Sequence, residues 1–299
     1  MLADRLLKGS FGIFNHYLYG DDNWVRTTND LDVERLARNV AKIGASHYCI
    51  TLMQGRKYML APNETYDRIA GTKPGEACAL RDIPMELGRE LEKYGVDLYL
   101  YYTGDGPHID PEIGPRFGFT APRQNVPMSF VENWAAVLRE YAVRYGKLVK
   151  GWWIDGCYDY FGYNQELLAP YYEACKAGNP DCIVAMNPGV PSGDPVKRYA
   201  RDEFTTGEYN DFTVVPSSQY ADGAQMHILA PLGLSPDGSP WNSWCKPGLK
   251  RDAEYLNNYI RRLKKVPCAL TIDIIIYPDG TFDAAQFNEL CRLSELLEQ

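Results

Sequence analysis

A carboxylate directly follows an apolar run that reads Val-Lys-Gly-Trp-Trp-Ile at residues 149–154. Such a run is typical of a buried strand, and Asp155 would stand at its carboxyl end, before Gly156, which permits a sharp turn. Glycoside hydrolysis needs two carboxyl groups beside the bond that breaks. Asp155 is therefore a candidate nucleophile or electrostatic stabiliser. The alternative is that Asp155 accepts hydrogen bonds from backbone amides and only holds the end of the strand.

A second carboxyl group is expected within residues 201–211, which read Arg-Asp-Glu-Phe-Thr-Thr-Gly-Glu-Tyr-Asn-Asp. Glu208 follows a Thr-Thr-Gly turn and precedes Tyr209, so partial burial beside an aromatic ring would raise its pKa, as a general acid requires. Glu203 is the alternate candidate. The competing interpretation is that the whole segment is a solvated acidic loop.

Several neutral side chains could contact a sugar from the ends of other predicted strands. His16 ends the first strand, and an imidazole can donate or accept a hydrogen bond as a hydroxyl group requires. Tyr102 lies at the end of the third strand. Trp153, next to the candidate nucleophile, would exclude water and offer a flat apolar face.

No metal or cofactor is expected from the sequence. Asp105, His108 and Asp110 share one loop, but three such groups are a weak indication of a metal site. A Gly-x-Ser-x-Gly elbow and the glycine-rich nucleotide fingerprints are absent. Cys157 has no nearby base to activate it. Glycoside hydrolysis by two carboxyl groups requires only side chains and water.

The elements that would position these residues alternate between strand and helix along the chain. Glycines 44, 95 and 146 end three of the helices, as is common for helix termini. The predicted strands cover 10–18, 46–53, 96–104, 149–155, 181–189 and 268–280, with strand-and-loop segments at 202–211 and 225–233. The predicted helices cover 29–44, capped by Asn29 or Asp30, and 80–95, 128–146, 165–180 with a kink or break at Pro170, 252–266 and 283–299.

About eight such units in 299 residues predict an α/β fold, a (β/α)₈ TIM barrel that forms a single domain over residues 1–299. The rival fold, a doubly wound sheet, would carry a glycine-rich fingerprint after an early strand. The connections after the strands are long, at 54–79, 104–127, 156–164 and 231–250. In a barrel these loops lie at the carboxyl ends of the strands, where active sites are built.

Composition excludes several classes of partner. The net charge is −8, and no run of lysine or arginine could follow a phosphate backbone, so neither nucleic acid nor an anionic membrane is an expected partner. Eight cysteines without paired spacing indicate free thiols. No secretion signal is visible at the start of the sequence, so the compartment stays open: periplasmic or secreted if a signal was removed, and otherwise cytoplasmic. The oligomeric state stays open.

The ordered motifs resemble the catalytic barrel of the α-L-fucosidase family, glycoside hydrolase family 29, over nearly the whole chain. FGIFNHYLYG at 11–20 is similar to the first strand of that family, and GWWIDG at 151–156 to the strand that carries its nucleophile. Residues 30–53, 94–105 and 274–297 follow the family in the same order. The resemblance implies a retaining mechanism in which Asp155 attacks the anomeric carbon, His16 contacts the sugar and Glu208 lies near a Thr-Pro-Glu stretch.

Two departures from the family are visible. The family carries His-His-Asp-Gly-Phe after its second strand, whereas this chain has Met53-Gln54-Gly55-Arg56-Lys57, where Gln54 can still hydrogen-bond a hydroxyl group. The sequence ends just after the expected barrel, so we expect no β-sandwich of the kind that commonly follows the barrel in the family. The resemblance implies a retaining hydrolase of an α-linked, α-L-fucoside-like sugar, with a carbohydrate substrate as its partner. Two alternatives stay open: a non-catalytic carbohydrate-binding barrel, and a glycosidase for another sugar such as an α-galactoside.

Overall fold

The chain folds around a curled sheet of seven parallel strands. The computed structural model describes residues 2–120, 124–239 and 242–299. The strands lie in the order β5-β4-β3-β2-β1-β9-β8, so neighbours in the sheet are mostly neighbours in sequence. Their bounds are β1 (Gly12–Asn15), β2 (His47–Thr51), β3 (Asp97–Thr103), β4 (Val149–Asp155), β5 (Ile183–Met186), β8 (His227–Pro231) and β9 (Ala269–Asp273); β6 (Tyr220–Ala221) and β7 (Ala224–Gln225) form a separate two-residue hairpin.

The sheet is an open half-barrel rather than the eight-stranded barrel expected from sequence, and it is open between β5 and β8. Residues 203–209, here called the bridging segment, lie in this opening. The backbone amide of Glu203 donates to Val184 of β5, at 3.0 Å. On the other side, the amide of Tyr209 donates to Leu229 of β8, and the amide of Leu229 donates to Gly207. The bridging segment therefore hydrogen-bonds to both edges of the sheet without forming a regular strand.

Helices cover the outer face of the sheet, and most begin at an acidic or amide cap, which accepts hydrogen bonds from the unpaired amides of the first turn. Their bounds are α1 (Trp24–Asp30), α2 (Val33–Lys42), α3 (Glu64–Ala70), α4 (Ile83–Glu92), α5 (Ile113–Arg116), α6 (Met128–Tyr145), α7 (Gln165–Lys176), α8 (Ala253–Lys264) and α9 (Ala284–Leu297). None of the helices in the described ranges is both long and apolar enough to cross a bilayer.

Three details of the helices differ from the sequence expectations. Asp32 caps α2, because Asn29 and Asp30 belong to the separate short helix α1. Pro170 lies inside α7 without ending it, since the helix runs on to Lys176. The long connections after β2 and β3 contain α3 and α5, which carry too few residues to show a clear helical period.

The core has two layers because side chains of a strand alternate between its faces. On β3, Leu98, Leu100 and Tyr102 pack outward against the helices, in the larger apolar cluster. Tyr99 and Tyr101 pack inward, with residues of the other strands, in a smaller cluster inside the curled sheet. The inner cluster forms the floor beneath the carboxyl ends of the strands.

The cysteines are free, as the sequence predicted. All eight lie in the described ranges and none forms a disulfide. Six of them are buried, where a thiol packs as a small apolar group. Cys245 and Cys291 are the two that are partly exposed.

The bridging segment depends on a glycine, and we expect Gly207→Ala to destabilise the fold. Gly207 has φ of +58°, and an added Cβ would overlap the backbone carbonyl of His227. Gly223→Ala is the matched control, because Gly223 has φ of +85° but open space around it. The control should lose about 1 kcal/mol of unfolding free energy, and Gly207→Ala at least about 2 kcal/mol more. Urea unfolding measures both, and equal losses would contradict this role of Gly207.

Candidate active site

Asp155 ends β4 and is held by three side-chain donors. The Tyr101 hydroxyl donates to Oδ2 at 2.6 Å, and the Tyr158 hydroxyl donates to Oδ1 at 2.7 Å. The Asn187 amide donates to Oδ1 at 2.8 Å. Burial raises the pKa of both tyrosines, and Asp155 raises it further, so both phenols keep the proton that they donate. The carboxylate is thus fixed at the mouth of the sheet, and it forms no ion pair with an arginine among those that the structure describes.

Glu208 reaches the same point from the bridging segment. Its Oε2 accepts from Nδ2 of Asn187 at 2.6 Å, the same nitrogen that donates to Asp155. The amide oxygen of Asn187 accepts from the Thr206 hydroxyl and from the amide of Gly189, which assigns the orientation of the side chain. One buried amide group therefore links the two carboxyl groups.

The environment of Glu208 raises its pKa to about 7. Burial is the main cause, because it penalises the charged form. The negative charge of Asp155 raises the pKa further, while the hydrogen bond from Asn187 and the nearby His16 lower it. Near neutral pH a large fraction of Glu208 is consequently protonated and can act as an acid.

His16 directly follows β1 and pairs with a buried carboxylate. Its Nδ1 lies 2.8 Å from Oδ1 of Asp273, the last residue of β9. Burial lowers the pKa of His16, but Cys245 and Asp273 outweigh it, so the pKa is well above the ordinary value. Burial raises the pKa of the Cys245 thiol, and the nearby His16 lowers it.

Most of the side chains predicted from sequence line one cavity of about 230 Å³ at this end of the sheet. Its walls include Asp155, Glu208, His16, Gln54 and Trp153. They come from four separate parts of the chain, since Trp153 and Asp155 both belong to β4, as expected for a site at the carboxyl ends of parallel strands.

Tyr102 does not belong to this cavity. It is fully buried on the outer face of β3, where its hydroxyl donates to the backbone of Trp134 at 2.9 Å and its ring stacks on Trp134. Its neighbour Tyr101 lines the cavity instead and stacks on Trp153. Alternation along β3, applied residue by residue, would have selected Tyr101.

Glu203, the alternate acid, lies away from the cavity. Its carboxylate binds Lys176 and the Tyr172 hydroxyl, each at 2.6 Å, and the amide of Val184 at 2.9 Å. These contacts attach the bridging segment to α7 and β5. Glu203 therefore holds the bridging segment in place and does not reach the cavity.

A second cavity, of about 560 Å³, adjoins the first and shares Gln54, Asp155 and Tyr158 with it. Asp105 and His108 line its far side, with the His108 Nδ1 at 3.3 Å from an Asp105 oxygen. The two cavities together form a cleft with Asp155 at their junction.

Besides Tyr101, sequence reasoning missed Tyr158, Asn187, Trp244, Cys245 and Asp273. Asn187 directly follows β5, and Asp273 ends β9, so a search for polar residues at strand ends would have found both. Tyr158 and Trp244 lie in loops, and no local pattern in the sequence predicts that they line the cavity.

Comparison with solved structures finds a similar fold in several glycoside hydrolases. No protein-family model and no curated protein sequence matches the chain. The endo-fucoidan hydrolase P5AFcnA from glycoside hydrolase family 107 matches with a TM-score of 0.76 and 14% identity, over 100% of this chain and 94% of that one. The endo-fucoidan hydrolase MfFcnA4 of the same family gives 0.74 and 13%, over 97% and 53%.

An α-L-fucosidase has the same fold. AlfC from Lactobacillus casei, in complex with its α-L-fucose product, matches with a TM-score of 0.66 and 14% identity, over 99% of this chain and 98% of that one. At such identities the likeness concerns the fold, which this chain shares with fucose-acting glycoside hydrolases of two kinds.

Two substitutions should move the pKa of Glu208 in opposite directions. Asp155→Asn removes a neighbouring negative charge, so the pKa should fall below 7. Asn187→Ala removes a hydrogen bond to the charged form, so the pKa should rise. A carbon-13 NMR titration of labelled glutamate carboxyl groups measures both, and shifts of the same sign would contradict the geometry described here.

Proposed function

We propose that this protein is a retaining glycoside hydrolase that acts on α-L-fucoside-like sugars through Asp155 and Glu208. The observation that carries the proposal is the linkage of both carboxyl groups to one Asn187 nitrogen. The two hydrogen bonds, of 2.8 and 2.6 Å, mean that their acceptor oxygens lie at most about 5.4 Å apart. This limit is compatible with the separation of about 5–5.5 Å in retaining enzymes and is below the separation of about 6.5–9.5 Å in inverting enzymes.

The different surroundings of the two groups suit different roles. Asp155, held by three donors, attacks the anomeric carbon as the bond to the leaving oxygen breaks. Glu208 gives its proton to that oxygen, which a carboxyl group with a pKa of about 7 can do at neutral pH. The product of this step is a glycosyl ester on Asp155.

The second half of the reaction reverses the role of Glu208. Once Asp155 is esterified it carries no charge, so it no longer raises the pKa of Glu208. Glu208, which gave up its proton in the first step, therefore stays ionised and accepts a proton from the water that attacks the anomeric carbon. The ester bond breaks, Asp155 regains its charge, and the configuration of the sugar is retained after two inversions.

The cavity walls can bind the sugar through both polar and apolar contacts. His16 and Gln54 present hydrogen-bonding groups, and Trp153 presents an aromatic face. The second cavity offers room for the rest of a longer substrate on the other side of Asp155. The paired carboxyl groups favour hydrolysis over the alternative of a non-catalytic binding barrel, whose ligand would need neither a nucleophile nor a protonated acid.

Substitution of either carboxyl group should impair turnover of an aryl α-L-fucoside. We expect Asp155→Asn to abolish hydrolysis, and Glu208→Ala to slow it by about 10²–10⁴-fold when the leaving group requires protonation. Glu203→Gln is the matched control, because Glu203 lies in the same segment but outside the cavity. Undiminished hydrolysis in Asp155→Asn would remove the nucleophile assignment, and parallel assays on aryl α-galactosides would identify a different sugar specificity.

Azide should restore turnover to Glu208→Ala and reveal the stereochemistry. Azide needs no general base, so it attacks the glycosyl ester on Asp155 and yields a glycosyl azide with the anomeric configuration of the substrate. Proton NMR of the product distinguishes the two anomers. A product of inverted configuration would contradict the double displacement.

The pH dependence of kcat/KM should have a basic limb with a pKa near 7. Activity requires protonated Glu208, so it falls as pH rises through that value. With a substrate whose leaving group needs protonation, Glu203→Gln should keep this limb, and the residual activity of Glu208→Ala should lack it. Persistence of the limb in Glu208→Ala would assign it to another group.

A further inference from the structure

Three potential metal ligands meet at the edge of the 230 Å³ cavity. The side-chain donor atoms of His16, Cys245 and Asp273 all lie within 4.8 Å of one another. His16 directly follows β1, Cys245 lies in the loop after β8, and Asp273 ends β9. Among the described residues this is the one group of three or more such side chains with this proximity.

Hydrogen bonds already orient the three side chains toward a common point. The backbone amide of Cys245 donates to Oδ2 of Asp273 at 3.1 Å, which leaves Oδ1 facing Nδ1 of His16. The Cys245 Sγ lies within 4.8 Å of the donor atoms of both His16 and Asp273. Cys245 has φ of +56°, a left-handed conformation that disfavours a residue with a side chain. The fold therefore maintains a costly backbone conformation that brings this thiol to the cluster.

The chemistry of the three donors selects a class of ion. A thiolate, an imidazole and a carboxylate suit Zn²⁺ and similar borderline-soft ions, whereas Mg²⁺ and Ca²⁺ prefer sets of oxygen ligands. Tetrahedral zinc bonds of about 2.0–2.3 Å would separate the donors by about 3.3–3.6 Å. The His16–Asp273 pair, at 2.8 Å, must open slightly and the thiol must approach, which are changes on the order of 1 Å.

We propose that His16, Cys245 and Asp273 form a binding site for a Zn²⁺-class ion. His16 and Cys245 line the cavity, so the fourth coordination position faces it, as in zinc sites that keep one position for an exchangeable ligand. Binding displaces the thiol proton and the proton that His16 and Asp273 share, and both leave to the buffer.

The ion would also take the His16 imidazole away from any sugar hydroxyl. If the proposed hydrolase function holds, Zn²⁺ therefore inhibits hydrolysis in the wild type, EDTA restores it, and Cys245→Ser is much less sensitive. Insensitivity of an active wild-type enzyme to saturating Zn²⁺ would refute the cavity-facing position.

Metal binding can be tested without substrate. Co²⁺ added to the wild-type protein should produce a near-ultraviolet thiolate-to-cobalt charge-transfer band, and calorimetry should give one high-affinity Zn²⁺ per chain. Cys245→Ser should lose the band and bind Zn²⁺ at least about 100-fold more weakly. Cys291→Ser, which replaces the other partly exposed cysteine, is the matched control and should behave as the wild type.

Two results would overturn the site: absence of Zn²⁺ binding to the wild type at micromolar concentrations, or an unchanged cobalt band in Cys245→Ser. The Ser variant is nearly isosteric, and a circular dichroism spectrum equal to that of the wild type establishes that it folds. A protein that binds zinc without hydrolysing any glycoside would refute only the proposed hydrolase, and an active hydrolase without zinc binding would refute only the metal site.

Discussion

The side-chain amide of Asn187 holds two carboxyl groups at one point, and the arrangement of the site depends on that contact. Two carboxyl groups this close repel each other when both are charged, so one of them tends to hold a proton. The amide has only two protons, and it donates one to Asp155 and one to Glu208. The shared donor holds the two carboxyl groups close together, although their other surroundings differ. Asp155 has two further phenol donors, whereas partial burial raises the pKa of Glu208.

The curled sheet explains why these groups can meet. Asp155 ends β4 and Asn187 directly follows β5, and the carboxyl ends of these adjacent parallel strands share one edge of the sheet. Glu208 belongs to the bridging segment, which is held in the opening between β5 and β8 by backbone bonds and by the contacts of Glu203. Successive side chains of a regular strand must point to opposite faces, but those of an irregular segment need not. Gly207, with its positive φ, permits the turn just before Glu208. Glu208 thus lies at the place where the sheet departs from an eight-stranded barrel.

Beneath the site, the inner apolar cluster excludes water from the lower part of the sheet. Charges at the edge of such a cluster interact more strongly than charges in water, because the surroundings are less polarisable. His16 with Asp273 and Glu208 with Asp155 are both placed at this boundary. Burial at the same boundary raises the pKa of the Cys245 thiol.

Local patterns in the sequence determined the alternation of strands and helices, the limits of β4 at residues 149–155, and the position of Asp155 at its end. Those features depend on periodicity, caps and glycines that act within a few residues. Only the tertiary structure decided which acid stands opposite Asp155, that Tyr101 rather than Tyr102 faces the cavity, and that Asp273 and Cys245 join His16. Residues 16 and 273 come from opposite ends of the chain, and the curl of the sheet, which no local pattern encodes, brings them to within 2.8 Å of each other.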